Sequence, residues 1–296
     1  MYKALSFFKK LLLSFFCITQ MQISKAQVFQ TYVHQGELGV SIGLSHYFGD
    51  LDPNFALDHP KFAAGVFYRK QINNYVGFKI AGNYAFLGYA DTYSSNLFQR
   101  IRNLSFNTDV WELNVSGDFN FFEFHPGFTE YRYTPYISIG LGVFSFNPYA
   151  YLNGKKYFLQ PLGTEGQGSP LYPNRKPYSL IAMSIPIGLG YKYALNDRMN
   201  IFGEIVYRFT STPYLDDVST TYAPDAFPLA PNGTPTVGYL LQDRSLEMSN
   251  LASSNGISTP IGAAKGRQRG NGQKDSFVTM QLGISFNLQS YRCPTH

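Results

Sequence analysis

Strict alternation between apolar and small side chains is the feature that most constrains this chain. Every second position is apolar, and the positions between are mostly glycine, serine, alanine or asparagine, in eight stretches: 38–45, 62–70, 76–86, 111–116, 137–143, 181–193, 200–210 and 278–288. Successive side chains of a strand point to opposite faces, whereas those of a helix repeat every 3.6 residues. The pattern therefore predicts eight β-strands and no long helix.

The connections between these stretches alternate in length. Tight turns at "INN" and "LNDRM" and a moderate one at "FFEFHPGFTEY" separate four longer connections, of which the last, 211–275, exceeds 60 residues. An even number of strands with alternating short and long connections is typical of outer-membrane barrels, whose long loops face outside. We predict an all-β fold: an eight-stranded antiparallel transmembrane β-barrel with long extracellular loops.

The two faces of the strands indicate which side meets lipid. A soluble lipocalin-like barrel also alternates, but its outer face carries charge, and here charged residues make up only 15% of the chain. Eight strands enclose a narrow lumen, so the small face is expected inside and the apolar face outside. Aromatic residues near strand ends are expected to form interfacial girdles; they are Tyr47, Phe48, Tyr84 to Tyr89, Phe119 to Phe122, Tyr131 to Tyr136, Tyr191 and Tyr193.

The first 26 residues have the pattern of a secretory signal peptide. Lysines precede the apolar run "LLLSFFCI", and "SKA" before Gln27 fits a cleavage site. Residues 27–296 would then form the barrel domain. Without the four leader lysines, 20 basic residues remain against 19 acidic ones, which removes the support for a nucleic-acid surface. We expect localisation in the bacterial outer membrane, with both termini in the periplasm.

Seven charged residues fall on the predicted inner face of the strands. They are Arg69, Lys79, Glu112, Asp118, Lys192, Glu204 and Arg208. Buried charges in a narrow space need partners, so we predict structural ion pairs that plug the lumen, for example Lys79 with Glu112 on adjacent strands. A proton or ion path is the functional alternative.

Catalytic and metal sites are not indicated by the motifs. Ser41 lies in a G-x-S-x-G pattern, but the alternation continues beyond it, whereas a nucleophile elbow requires a helix there. His46, Asp50 and His59 could be polar rim residues or, less simply, an enzyme site at the rim. The scattered histidines form no metal-ligand cluster, and there is no phosphate-binding loop. We expect no enzyme activity, cofactor, metal or small-molecule substrate.

Two charged segments of the 211–275 loop leave alternatives open. Asp216 and Asp217 could bind calcium, although the further oxygen ligands are not visible, or could lie in a solvated turn or bond to loop backbone. The basic run "KGRQRG" at 265–270 could meet acidic lipid head groups or be solvated charge.

Several stretches resemble a known family. The most specific are "GDL" at 49–51, D-x-W-E-L at 109–113 and "YLDDVS" at 214–219, within longer similar runs at 36–52, 109–124, 136–151, 184–193, 214–222 and 269–286. Together they resemble the PorG-type outer-membrane barrels of the type IX secretion system, over nearly the whole predicted mature chain.

The resemblance implies a non-enzymatic component that anchors or scaffolds the periplasmic ring of PorK and PorN type, with outer-membrane lipid as the other partner. Residues 27–35, the C-terminal tail and the turn between strands four and five would reach the periplasm. Docking is expected to use that tail and Phe122, Glu123, Phe124, His125, Phe128 and Tyr131 of the turn. The alternative is a small general barrel of OmpA or OmpW kind, serving surface stability or acting as a narrow pore.

Overall fold

The computed structural model describes residues 36–53, 57–264 and 266–288. The predicted signal peptide, residues 27–35 and the tail beyond residue 288 lie outside this range. The described residues contain ten strands: β1 (Glu37–Phe48), β2 (Lys61–Gln71), β3 (Val76–Ala90), β4 (Ser105–Asn120), β5 (Tyr133–Ser145), β6 (Tyr149–Leu152), β7 (Lys155–Phe158), β8 (Ile181–Ala194), β9 (Met199–Thr210) and β10 (Ser276–Asn287).

Eight of these ten described strands close into an antiparallel barrel. Neighbours pair in the order β1, β2, β3, β4, β5, β8, β9 and β10, and β10 pairs back onto β1. That seam is in register along the full length of β1, from Glu37 opposite Asn287 to Phe48 opposite Ser276. A closed ring leaves no strand edge unpaired, as hydrocarbon surroundings require. The predicted fold class and all eight strands are confirmed.

The hairpin of β6 and β7 was not predicted. This hairpin lies inside the connection 146–180, and a single bridge joins it to β4. Asn153 and Gly154 form its turn with φ of 51° and 77°, the left-handed conformation that two-residue hairpin turns need. Strands of four residues are too short for alternation to be recognised against the background of the loop.

The barrel has a short-turn end and a long-loop end. Turns at 72–75, 121–132 and 195–198 form the first, and connections 49–60, 91–104, 146–180 and 211–275 form the second. The helices among the described residues are short: α1 (Leu97–Arg102), α2 (Val237–Gln242) and α3 (Ser249–Ser254), with single 3₁₀ turns beside them. Within the described ranges no helix has the length and hydropathy to cross a membrane.

The outer wall is apolar and the inner face is polar, which makes this a membrane-spanning barrel. On β1, Leu38, Val40, Ile42 and Leu44 are each about half exposed or more on the outside, whereas Ser41 and Ser45 are buried. A hydrated outer face rich in charge, as in a soluble barrel, is not observed among the described strands. An aliphatic wall of this kind is stable only against acyl chains.

The aromatic girdle prediction is wrong for some of its members. Trp111 on β4, although not predicted as a girdle residue, and Phe119, Tyr133 and Tyr191 are exposed on the outer wall, where girdle residues lie. Tyr47, Tyr89 and Tyr136 are instead buried. Tyr47 shares its face of β1 with Ser45, and Tyr136 shares its face of β5 with Ser138, so strand parity directs both rings inward.

A hydrophobic core lies at the long-loop end. Leu51, Leu87, Phe106, Phe144 and Phe277 are almost fully buried in one cluster that also includes residues of the long connections. A second, smaller cluster within the connections joins α1 to α3; its members are Ile101, Tyr222, Ala252 and Ile261. The long connections therefore form a folded cap on the barrel.

Candidate functional site

The middle of the lumen is filled by a pair of charges with a full set of hydrogen bonds. Arg208 Nε lies 2.7 Å from Glu112 Oε2, and Arg208 Nη1 donates to Thr279 Oγ1 at 2.8 Å. Glu112 also accepts hydrogen bonds from Ser184 Oγ at 2.7 Å and from the side-chain amides of Asn83 and Asn114. A buried carboxylate is stable when it is paired and hydrogen-bonded in this way.

A second network fills the lumen nearer the short-turn end. Arg69 pairs with Glu37 and lies 2.5 Å from Asp118 Oδ2 through Nε. Lys79 Nζ is 2.7 Å from Glu204 Oε2, and the Tyr136 hydroxyl donates to the same oxygen at 2.7 Å.

All seven charged residues named from the sequence therefore lie inside the barrel, but the predicted pairing is wrong. Lys79 stands opposite Ser116 on β4 and pairs across the lumen with Glu204 on β9, while Glu112 pairs with Arg208. Pairs across a narrow lumen are as close as pairs on adjacent strands, and only the closed ring reveals them. A cavity between the two networks has a volume of about 20 Å³, room for about one water molecule.

Lys192 differs from the six other predicted lumen charges, each of which lies in an ion pair. Its Nζ is enclosed and makes neither a hydrogen bond nor an ion pair with a residue in the described part of the chain. It lies over the rings of Phe124 and Tyr136, 4.8 and 5.3 Å from their centroids. The Lys192 amine therefore lies against two aromatic ring faces at the short-turn end of the lumen.

Two residues of these networks were missed from the sequence. Glu37 has the inward parity of Gly39 and Ser41 on β1, so extending the alternation by one position would have found it. Tyr136 was assigned to a girdle, although its parity on β5 is that of Ser138. In both cases the inward position of the residue could have been predicted from the alternation along its strand.

The adjacent aspartates of the longest loop are buried inside the cap, so a solvated turn is the wrong interpretation. Asp216 Oδ2 accepts a hydrogen bond from the Tyr47 hydroxyl at 2.6 Å. Asp217 accepts from the hydroxyls of Thr164 and Tyr178. Its φ is 65°, so the turn at this position is left-handed. The pair joins the barrel to two long connections instead of facing solvent.

Burial changes the acidity of this pair. It raises the pKa of the Asp217 carboxyl to about 6, while Arg269 and the two hydroxyl donors hold it from rising further. Burial, with Asp50 nearby, raises the pKa of Asp216 well above its usual range. Asp275, whose Oδ1 lies 3.1 Å from the Tyr47 hydroxyl, has a raised pKa because of its burial and because Asp216 is close. Burial therefore shifts all three carboxyls toward their protonated forms.

The basic run is not solvated as a whole. Arg269 is buried, with Nη1 3.3 Å from Glu165 Oε1 and Nη2 3.7 Å from Asp217 Oδ2. Its Nε donates to the carbonyl of Gln242 at 3.1 Å. Arg267 lies over the Phe98 ring. At Arg269 both interpretations are replaced by packing inside the cap. Arg267 is exposed, so the lipid-head-group and solvated-charge interpretations both stay open there.

The predicted rim residues do not form a catalytic constellation. His46 contacts Asp52, with Nε2 2.8 Å from Oδ2, and both are buried. Asp50 instead accepts from the backbone N–H of Asn271 at 2.9 Å. His59 stacks on Tyr93 with 3.7 Å between ring centroids. Ser41 donates to the side-chain amide oxygen of Gln281 at 3.2 Å, which is not a general base.

A metal-ligating group does come together at this rim. A nitrogen of His46 and carboxylate oxygens of Asp52 and Asp58 lie within 4.8 Å of one another. Sequence reasoning missed it because the three residues have no motif spacing, and the loop between β1 and β2 decides whether they meet.

The turn between β4 and β5 presents some of its predicted docking residues. Phe122, Phe128 and Tyr131 are exposed, and Glu123 accepts a hydrogen bond from the Tyr75 hydroxyl at 3.2 Å. His125 is half buried between Phe128 and Tyr131.

The docking prediction is wrong for Phe124, because this residue is only 4% exposed. It closes the lumen over Lys192 and is not available for direct docking. Its ring centroid is 4.8 Å from Lys192 Nζ, inside the short-turn end of the barrel.

Comparison with known proteins assigns a family. Residues 9–162, just over half of the chain, match the model of the family described as Domain of unknown function (DUF6089). The chain belongs to the DUF6089 family. The matched range contains β1 to β7, and therefore Glu112, Arg69 and Lys79 of the lumen networks as well as the β4–β5 turn. No functionally curated protein matches the sequence of this DUF6089 member.

Solved structures similar to this DUF6089 chain are small outer-membrane proteins at low identity. Neisserial surface protein A is 10% identical with a TM-score of 0.40, covering 86% of this chain and 97% of that one. The N-terminal β-barrel domain of OprF from Pseudomonas aeruginosa is 10% identical with a TM-score of 0.34, covering 85% and 97%. Ail, the attachment invasion locus protein of Yersinia pestis, is 12% identical with a TM-score of 0.36, covering 86% and 99%.

Proposed function

We propose that this barrel is a non-enzymatic scaffold in the outer membrane that anchors the periplasmic ring of a type IX secretion system. The observation that carries the proposal is the filled lumen. Two networks of buried ion pairs leave a cavity of about 20 Å³ between them, so the lumen, as lined by the described residues, has room for about one water molecule and not for a solute. The function would then depend on the outer surfaces of the barrel, as expected for an anchor.

The orientation of the proposed anchor follows from the connections. In outer-membrane barrels short turns face the periplasm and long loops face outside. The short-turn end, with both termini of the described range beside it, would then face the ring. The resemblance of the segments at 49–51, 109–113 and 214–219 to PorG-type barrels supports the choice of this ring as partner.

Within the short-turn end, the β4–β5 turn is the best candidate for contact with the ring. Its backbone is held in place, because His125 donates its N–H to the carbonyl of Tyr131 at 2.9 Å and Phe128 donates to His125 at 3.2 Å. Phe128 and Tyr131 are exposed around His125. A preorganised turn with exposed aromatic side chains is the surface type on which protein interfaces place their strongest contacts.

Phe122 differs from these two residues. Its ring lies 6.2 Å from that of Tyr133 on the outer wall, so it belongs with the girdle. We therefore assign docking to Phe128 and Tyr131, with the predicted tail as a second contact.

Co-purification with the ring proteins after crosslinking in cells tests the assignment. The variant Phe128→Ala/Tyr131→Ala, combined with removal of residues 289–296, is expected to recover less than about a tenth of the ring proteins. Leu195→Ala is the matched control, since Leu195 is an equally exposed apolar residue at the neighbouring short turn. Unchanged recovery from the combined variant, at equal barrel abundance, contradicts docking through this end.

A small general barrel that stabilises the cell surface is the second candidate. The observation that favours it is the cap, since a loop layer with its own core at Ile101, Tyr222 and Ile261 is more than an anchor requires. Deletion of the gene separates the two. An anchor predicts loss of type IX secretion with an intact envelope, whereas a surface protein predicts sensitivity to detergent with normal secretion.

A further inference from the structure

The geometry points to a binding site for a divalent transition-metal ion of the Zn²⁺ class at the rim of the long-loop end, formed by His46, Asp52 and Asp58. His46 lies near the end of β1, and Asp52 and Asp58 lie in the connection that follows β1. They supply one imidazole nitrogen and two carboxylate oxygens, all within 4.8 Å of one another.

The spacing suits a tetrahedral ion. Adjacent ligands of a Zn²⁺ ion are about 3.3 Å apart when its bonds are about 2.0 to 2.1 Å long. His46 Nε2 and Asp52 Oδ2 are already 2.8 Å apart. To bring all three ligand atoms to this spacing, Asp58 has to move closer. Its side chain is 40% exposed and can rotate toward His46 and Asp52.

His46 also shows an unsatisfied atom. Its ring is almost fully buried, and its Nδ1 makes no hydrogen bond with any residue in the described ranges. The two ring nitrogens point in different directions, so Nδ1 is not the ligand atom of this site. Nε2 faces Asp52, and a bound ion would replace the proton that these two atoms share.

Neighbouring aromatic residues complete the site. The Tyr89 hydroxyl lies 3.4 Å from Asp58 Oδ2, and the Tyr89 ring stands edge-on to both His46 and His59. His59 Nδ1 is 3.3 Å from Asp58 Oδ1, so His59 contacts one ligand of the group from outside it. The half-exposed Asp58 and His59 leave an entry path from solvent.

The ligand set selects among ions. Calcium and magnesium take six or more oxygen ligands and little nitrogen, whereas imidazole with carboxylate suits zinc and its neighbours. Because Asp52 and Asp58 lie on either side of the β1–β2 connection, a bound ion would tie that connection to the barrel wall.

Metal titration of the untagged barrel folded in detergent tests the site. With Zn²⁺ and a competing chromophoric chelator, wild-type protein is expected to take up one ion per chain, unaffected by a tenfold excess of Ca²⁺. Asp58→Asn and His46→Gln are each expected to weaken binding at least tenfold. Asp225→Asn, an exposed acid of another long connection, is the matched control and should bind as wild type does.

A second measurement keeps the test independent of folding. Zn²⁺ should slow protease cleavage within the 49–60 connection of wild type and of Asp225→Asn, and have no effect on Asp58→Asn. Heat-modifiable gel migration verifies that each variant is folded. The inference is overturned if wild type takes up no stoichiometric Zn²⁺, or if folded Asp58→Asn binds Zn²⁺ as tightly as wild type.

Discussion

Replacing Arg208 by methionine tests whether ion pairs in the lumen stabilise the barrel. The change removes the 2.7 Å contact with Glu112 and the 2.8 Å bond to Thr279, and leaves a buried carboxylate without its cation. Breaking a buried pair on one side costs about 3 to 5 kcal/mol. Because Glu112 retains donors in Ser184, Asn83 and Asn114, we expect about 3 kcal/mol, or roughly a hundredfold change in the unfolding equilibrium.

The second half of this prediction concerns the double variant Glu112→Gln/Arg208→Met. It removes both charges, and glutamine can still hydrogen-bond within the same group of polar side chains. We therefore expect it to lie within about 1.5 kcal/mol of wild type and above the single variant, since an unpaired charge costs more than no charge.

Urea unfolding in lipid vesicles provides the assay. Trp111 is the single tryptophan of the chain, lies next to Glu112 on β4 and is 63% exposed on the lipid-facing wall, so its fluorescence reports membrane insertion. Arg198→Met is the matched control, an exposed arginine at a short turn, expected within about 0.5 kcal/mol. The reasoning is refuted if Arg208→Met unfolds like the control, or if the double variant is no more stable than the single one.

Three further predictions follow from the same structure. Gly43→Ala should lower the yield of folded barrel, because a Cβ at this position would lie 1.9 Å from the Met280 carbonyl oxygen across the closing seam. The control Gly117→Ala should fold normally, because its Cβ would meet no atom within 4 Å. Gel migration with and without heating measures the folded fraction of both variants. The cap should be more resistant to protease at pH 4 than at pH 7.5. The raised pKa of Asp217 in the folded cap adds stability that is present below the pKa of this carboxyl in the unfolded chain and is lost as the pH rises through about 6. Equal cleavage rates at the two pH values, or the same pH dependence in Asp217→Asn, would contradict this. Planar bilayers should show no steady current from wild-type protein, because the lumen is filled; reproducible unit conductance would refute the plugged barrel.

Much of the architecture could be read from alternation because every barrel strand divides its residues between two different surroundings. Lipid outside and a narrow lumen inside sort Leu38 from Gly39 and Val40 from Ser41 along β1. The same parity assigned Glu112 and Arg208 to the interior. The β6–β7 hairpin escaped because it lies in the cap, where no such two-sided surroundings exist.

Partner choice was not readable in this way. Parity places Lys79 inside the barrel, but its contact with Glu204 joins strands far apart in sequence across the closed ring. The cap depends still more on tertiary contacts, since Asp217 meets Tyr178 and Arg269 only because two long connections fold together.

The sequence by itself determined that eight strands close with small and charged residues inside and aliphatic residues outside, because a period of two is a local property of extended backbone. Only the tertiary structure decided which charges pair, that Asp216 and Asp217 are buried, and that His46 meets Asp52 and Asp58. Those contacts join residues whose separation in the sequence carries no periodic signal, so their distances exist only once the ring has closed and the loops have packed.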